Sequence, residues 1–297
     1  MSMRIAVTGQ AGQVVLSMLE QAPPGVTVIA LGRPRLDLSV LESIGPAIAA
    51  SRPDVIVNAA AYTAVDQAEQ EPETAMRING AGAGEAARAA ALLGIPIVQI
   101  STDYVFDGAL VRPYRESDPV APISSYGASK LAGERAVAAA TDNHAILRTA
   151  WVYSPFGKNF VKKMLRLAET RPEISVVADQ HGSPTSALDI ADAVFAVARG
   201  LRERPRDEGL RGLFHMSASG EAVWADVAEA VVGERQRRGA EPVAIRRIAT
   251  SDYPTPAKRP ANSRLDCTLL AERHGVTLPH WREQVIACTA RLLKDQG

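Results

Sequence analysis

The sequence predicts an α/β fold, a doubly wound parallel sheet with a smaller C-terminal lobe, and three observations predict it. Short apolar runs rich in Val and Ile, at residues 4–8, 26–31, 54–58, 95–100 and 144–153, alternate with helical patterns, the signature of right-handed β-α-β units. The first run passes directly into Gly9-Gln10-Ala11-Gly12 before a helical stretch. A chain of 297 residues also has ample apolar material for a large core and a second, smaller packing unit.

Each element can be justified in turn. After the first strand, Leu16-Ser17-Met18-Leu19-Glu20 reads as a helix that stops at Pro23-Pro24-Gly25. Gly9 and Gly12, with Gln13 and Val14, form a strand-to-helix turn whose backbone N–H groups can approach a pyrophosphate; Val15 stands where a third small residue is usual. The second strand ends at Gly32-Arg33-Pro34-Arg35 with no acid, so Arg33 is expected to face a ribose 2′-phosphate. Asp37 and Leu38 follow as the expected lining of an adenine. The third strand opens into Ala59-Ala60-Ala61-Tyr62-Thr63, whose small residues leave room for a ligand, so Ala61, Tyr62 and Thr63 are expected to border it; Thr63 can instead cap a helix. A helix is expected over residues 74–93, carrying Asn79 at a position that packing and a polar network explain equally well.

The fourth strand ends at Ser101-Thr102-Asp103-Tyr104, and a Pro-rich loop over residues 107–122 follows as a candidate cover. Next comes Ser124-Ser125-Tyr126-Gly127-Ala128-Ser129-Lys130. Tyr126 and Lys130 are four apart, so a helix puts them on one face, where an ammonium favours the phenolate and lets the phenol exchange a proton near neutral pH. Thr102 adds a hydroxyl from a strand end. Further helices are expected at 159–170, 188–200, 224–238 and 282–294, with strands at 212–217 and 243–248. Lys258, Arg259 and Arg264 gather in a Pro-punctuated loop suited to a diphosphate.

Composition excludes several classes. Lys plus Arg equals Asp plus Glu at 33 each, with no basic block, which argues against general nucleic-acid or membrane-surface binding. Cys267 and Cys288 and the five histidines show no metal-type spacing. No run of about 18 apolar residues occurs. A cytoplasmic protein in a reducing compartment, with no membrane partner, is the expectation.

The motifs Gly9-x-x-Gly12, Asn58-Ala59-Ala60-Ala61, Ser101-Thr102-Asp103-Tyr104-Val105-Phe106 and Tyr126-Gly127-x-Ser129-Lys130 together resemble the extended short-chain dehydrogenase/reductase family. Three more narrow the resemblance to its dTDP-4-dehydrorhamnose reductase branch, over essentially the whole chain: residues 148–153, residues 179–185, and the block Tyr253-Pro254-Thr255-Pro256-Ala257-Lys258-Arg259-Pro260-Ala261-Asn262-Ser263-Arg264-Leu265. The resemblance implies a Rossmann-like domain over residues 1–150 that also receives elements from about 186–218, and a substrate-binding lobe from 151–185 and 219–297. It implies reduction of the 4-keto group of a dTDP-sugar with NADPH, or NADH as the alternative cofactor. Tyr126 would be the proton donor, Lys130 would lower its pKa and hold the nicotinamide ribose, and Thr102 would orient the keto oxygen. Asp103 and Trp151 would place the sugar. Tyr104 occupies a position where related dehydratases tend to carry a glutamate, which favours reduction without elimination. Some relatives hold magnesium at a dimer interface through a glutamate of the first helix; Ser17 stands there, so no metal is expected. Monomer and homodimer remain open, as do a cofactor-binding regulatory subunit and a reductase of another 4-keto sugar nucleotide.

Overall fold

The computed structural model describes residues 2–295. Its centre is a six-stranded sheet, β1 (Met3–Thr8), β2 (Val26–Leu31), β3 (Val55–Asn58), β4 (Ile97–Thr102), β5 (His144–Thr149) and β10 (Gly212–His215), in the order β10-β5-β4-β3-β1-β2. All of its pairings are parallel. The order reverses at β1, and parallel strands joined by helices must bury both faces. Accordingly β3, β4 and β5 have no exposed residue, and their side chains divide between two cores.

On one face lie α1 (Gln13–Glu20) and α8 (Ala187–Glu203). On the other lie α2 (Leu41–Ser51), α5 (Ala83–Leu93) and α6 (Ser125–Ala140), with the short α3 (Val65–Ala68) and α4 (Pro72–Met76) at their edge. The helix expected over 74–93 begins at Pro72, where the missing N–H costs nothing. It changes at Arg77–Gly82 into a π turn before resuming as α5. Such a bulge reorients one side chain, here Asn79.

A second apolar cluster joins α7 (Phe160–Ala168), α9 (Trp224–Arg237) and α11 (Trp281–Lys294) with β7 (Glu173–Val177), which pairs in parallel with β13 (Ala244–Ile248). Short pairs knit this part to the sheet: β6 (Val152–Tyr153) with β9 (Thr185–Ser186), β8 (His181–Gly182) with β12 (Ala222–Val223), and β11 (Ala218–Ser219) with β14 (Leu278–His280). α10 (Thr268–His274) packs on β10. The expected run 144–153 is broken because Trp151 takes a left-handed backbone, φ 50°. That conformation is uncommon for a bulky residue and concentrates at functional sites.

The loop over residues 107–122 is tied down. Tyr114 bridges to Leu265, Asn262 Nδ2 donates to the Leu110 and Arg112 carbonyls at 2.7 and 2.8 Å, and Arg264 donates to the Val111 carbonyl at 2.6 Å. Among the described residues no helix is long and apolar enough to cross a membrane.

Candidate active site

The carboxyl ends of β1, β3, β4 and β5 open into a cleft of about 760 Å³ between the sheet and the second cluster, where a ligand is expected in an open parallel sheet. Its floor is the glycine turn. Gly9 has φ 102°, and a side chain there would meet Val15, so the glycine makes room for the valine that replaces the usual small residue. Gly12 caps α1 without a side-chain hydrogen bond, and the first turn holds no acid. The helix N-terminus therefore offers backbone donors and positive potential to an anionic pyrophosphate. Gln13 does more than line this floor. Its Oε1 accepts from Ser154 and Asn159 at 2.8 and 3.0 Å, fastening α1 to the second cluster.

Beneath the floor runs a buried polar chain. Thr8 Oγ1 donates to Asn58 Oδ1 at 2.6 Å and accepts from the N–H groups of Ala59 and Ala60; Asn58 Nδ2 donates to Gln99 Oε1 at 2.7 Å. Gln99 Nε2 and Lys130 Nζ both donate to the Ile100 carbonyl, at 2.9 and 2.7 Å. These bonds satisfy groups that would otherwise be costly to bury and fix the strand ends around the lysine.

Thr102, Asp103, Tyr126 and Lys130 all line the same wall. Ser124 caps α6 by accepting from the Gly127 N–H at 3.2 Å, which starts the helix one residue before Tyr126. Burial raises the phenol of Tyr126 above its ordinary value, the Asp103 charge adds to this, and the Thr102 hydroxyl opposes it. Lys130, only 5 % exposed, is pulled down to about 8 by burial, with Glu134 opposing. The Lys130 ammonium is engaged by the Ile100 carbonyl, and burial is the dominant influence on the phenol.

Asp103 is pushed up to about 6 by burial, against the Ser263 and Thr102 hydroxyls. Its Oδ1 accepts from Thr102 at 3.0 Å, and the carboxylate, only 2 % exposed, lies in the wall of the cleft. Opposite, Trp151 stacks on Trp224 at 3.7 Å and 8°, and Phe160 packs on Trp224 at 4.6 Å. Gly182 permits this, since a Cβ there would run into the Trp151 indole. Trp224 and Lys158 line the cleft and were missed from sequence; an aromatic at a helix start and one lysine in a loop carry no distinguishing local signal.

Ala61 and Thr63 border the cleft as expected, but Thr63 caps no helix, α3 starting after Ala64 without a side-chain cap. Other expected residues lie elsewhere. The Tyr62 phenol turns out to Glu71 at 3.0 Å because its backbone is clamped by Asn79, whose Oδ1 accepts from the Tyr62 N–H at 2.7 Å and whose Nδ2 donates to Ser129 at 2.9 Å. Leu38 is buried in the core under α2, whereas Asp37 pairs with Arg33 at 3.3 Å. Arg33 itself is 80 % exposed at the end of β2. Arg259 is held by Asp66 at 2.8 Å, its charge reaching Tyr104, and Lys258 is exposed. Arg264 faces away from the cleft. Its guanidinium is consumed by Glu221, Asn262 and the Val111 carbonyl beside a separate hollow, so it holds the loop over residues 107–122. Among the described residues no group of three or more His, Cys, Asp or Glu converges as a metal site would require.

Known proteins share this architecture. Residues 3–294 match the family described as RmlD substrate binding domain. The dTDP-4-dehydrorhamnose reductase of Sinorhizobium fredii is 52 % identical over 95 % of both chains, and that of Escherichia coli K12 is 40 % identical over 94 % of this chain and 95 % of its own. The crystal structure of the dTDP-4-dehydrorhamnose reductase from Bacillus anthracis in complex with NADP superposes with a TM-score of 0.90, at 34 % identity, covering 98 % of this chain and all of that one. With the family matched over nearly its whole length, the chain belongs to the RmlD substrate binding domain family, whose similar members here are dTDP-4-dehydrorhamnose reductases.

Proposed function

We propose that the protein reduces the 4-keto group of dTDP-4-dehydro-L-rhamnose to give dTDP-L-rhamnose. The observation that carries this reading is the meeting of Thr102, Tyr126 and Lys130 on one wall of a cleft whose floor is an uncapped glycine turn. NADPH, when bound, supplies the hydride. The turn at Gly9 and Gly12 would hold its pyrophosphate, and Lys130 its nicotinamide ribose. The Tyr126 phenol gives its proton to the keto oxygen as negative charge develops there, and the Thr102 hydroxyl, which faces that phenol, orients the oxygen. The Asp103 carboxylate, in the cleft wall, takes a sugar hydroxyl, and the Trp151–Trp224 stack provides an apolar wall for the sugar. The test is oxidation of NADPH by purified protein with enzymatically generated dTDP-4-dehydro-L-rhamnose, the product identified as dTDP-L-rhamnose. NADPH binding without turnover rejects the reading.

Arg33 supports a preference for NADPH, because an exposed guanidinium at the end of β2 suits a 2′-phosphate. Arg33→Ala is expected to raise KM for NADPH by roughly tenfold to a hundredfold, the worth of a charged hydrogen bond, and to leave KM for NADH unchanged. Equal losses with both cofactors would remove Arg33 from that role.

Asp103 sets a pH limb. Its ionised form accepts sugar hydroxyls, so kcat/KM should rise with pH through about 6 and lose this limb in Asp103→Asn. The raised carboxyl binds its proton more tightly folded than unfolded. Its contribution to stability is therefore present below the ordinary carboxylate range and lost as pH rises through about 6. Asp103→Asn should accordingly melt higher than the wild type at neutral pH while turning over more slowly. A lower melting temperature would show that the carboxylate stabilises the fold.

A further inference from the structure

Glu134 lies one helical turn beyond Lys130 on α6, so the two fall on the same face. Both it and Arg148 are nearly fully buried, at 5 % and 3 % exposure. The Arg148 guanidinium grips the carboxylate with two bonds, Nε to Oε1 at 2.8 Å and Nη2 to Oε2 at 2.7 Å, and Ser101 Oγ donates to Oε1 at 2.6 Å. Ser101 and Arg148 are direct partners in the β4–β5 ladder, and the next rung is Thr102 with Thr149. One carboxylate of the helix that carries Tyr126 and Lys130 is thus pinned to two strands at the rung below Thr102.

The buried pair is oriented. The Arg148 guanidinium sits over the Phe106 ring, 4.9 Å from its centroid, and its charge is felt by Glu116 and His215 on that side. The carboxylate end is the one felt by Lys130. A buried ion pair is expensive and can often be replaced by apolar side chains without loss of stability, so its presence beside a buried lysine calls for a functional account.

We propose that Glu134, locked by Arg148 and Ser101, is a positioning residue that holds Lys130 and its helix against the strand bearing Thr102. This deepens the reductase reading and rests on it for the role of Lys130. The titratable and charged groups around the lysine are Tyr126 and Asp103, which line the same cleft, and Glu134 on its own helix, with Arg148 behind that carboxylate. Of these Glu134 supplies the charge that opposes desolvation of the ammonium. Removing it leaves burial unopposed and Arg148 uncompensated, and both disfavour the charged lysine.

The chain has six lysines, so selective ¹⁵N labelling makes the Lys130 titration readable in the wild type, Glu134→Gln and Glu134→Asp. In Glu134→Gln the Lys130 midpoint, and with it the alkaline limb of kcat at saturating NADPH, should move to lower pH by about one unit, a tenfold change in the protonation equilibrium. Glu134→Asp, which keeps the charge, should restore the midpoint. Should Glu134→Gln fail to fold, the joint replacement of Glu134 and Arg148 by Met leaves no unpaired buried charge, and an acid shift smaller than in Glu134→Gln is expected, because the Arg148 charge is gone as well. Loss of activity with the lysine midpoint unmoved overturns the proposal. Absence of turnover in the wild type rejects the reductase reading instead, while the titration still decides the role of Glu134.

Discussion

Tyr126→Phe is expected to lower kcat by about a hundredfold to ten-thousandfold, the usual worth of a positioned general acid, while leaving NADPH binding intact. The ring stays because its packing does not need the hydroxyl. It meets Tyr104 edge-on at 5.6 Å, and the helix that carries it is capped independently by Ser124. What is lost is the proton. Burial and the Asp103 charge raise the phenol, which favours the proton-donor form that a ketone reduction requires. The measurement is steady-state NADPH oxidation with the 4-keto sugar nucleotide beside a fluorescence titration of NADPH. Turnover of Tyr126→Phe within threefold of the wild type would assign the proton to another group. Weakened NADPH binding would mean that the phenol also holds the cofactor.

Residues whose place follows from local geometry were legible in the sequence. The glycine turn, the Tyr126–Lys130 pair and Thr102 could be placed because strand ends, helix spacing and glycine conformation are properties of a few consecutive residues. The second strand was bounded correctly at residues 26–31 for the same reason. Residues whose role depends on distant partners were not. Asn79 looked like a weak helix former, and only the π turn shows it clamping the Tyr62 backbone to Ser129. Arg264 looked like a diphosphate ligand because charge and proline punctuation do not say which way a guanidinium points; Glu221, 43 residues away, decides that. α2 escaped notice because Gly45-Pro46 interrupts its pattern, although the helix continues through the proline. Trp224 reaches the cleft through its stack with Trp151, a pairing between distant segments that no periodicity reports.

Glycine substitutions in two helices should move stability in opposite directions, and the contrast tests how α6 is seated. In an open helix interior, Gly→Ala gains roughly 0.4–1 kcal/mol, because alanine loses less backbone entropy on folding. Gly233 in α9 has nothing within 4 Å of the position of an added Cβ, so Gly233→Ala should raise the melting temperature slightly. Gly133 in α6 is the opposite case. A Cβ there would run into the Asn79 carbonyl oxygen, and one at Gly127 into the Tyr104 carbonyl oxygen. Both obstacles are backbone, which cannot swing aside as a flexible side chain can. Overpacking of this kind costs about 1–3 kcal/mol and outweighs the propensity gain. Gly133→Ala should therefore lower the melting temperature by roughly 2–10 °C. The direction of escape matters as much as the size. To relieve the contact α6 must lift from the π turn, carrying Tyr126 and Lys130 away from Thr102 and the Ile100 carbonyl, so kcat should fall further than the remaining folded fraction explains. Thermal melts of Gly133→Ala and Gly233→Ala, with kcat measured well below either transition, separate the two effects. If Gly133→Ala is as stable as the wild type, the close seating of α6 on the π turn is wrong. If it is destabilised yet turns over normally, the catalytic wall tolerates a displaced helix and its geometry is held by the strand ends alone.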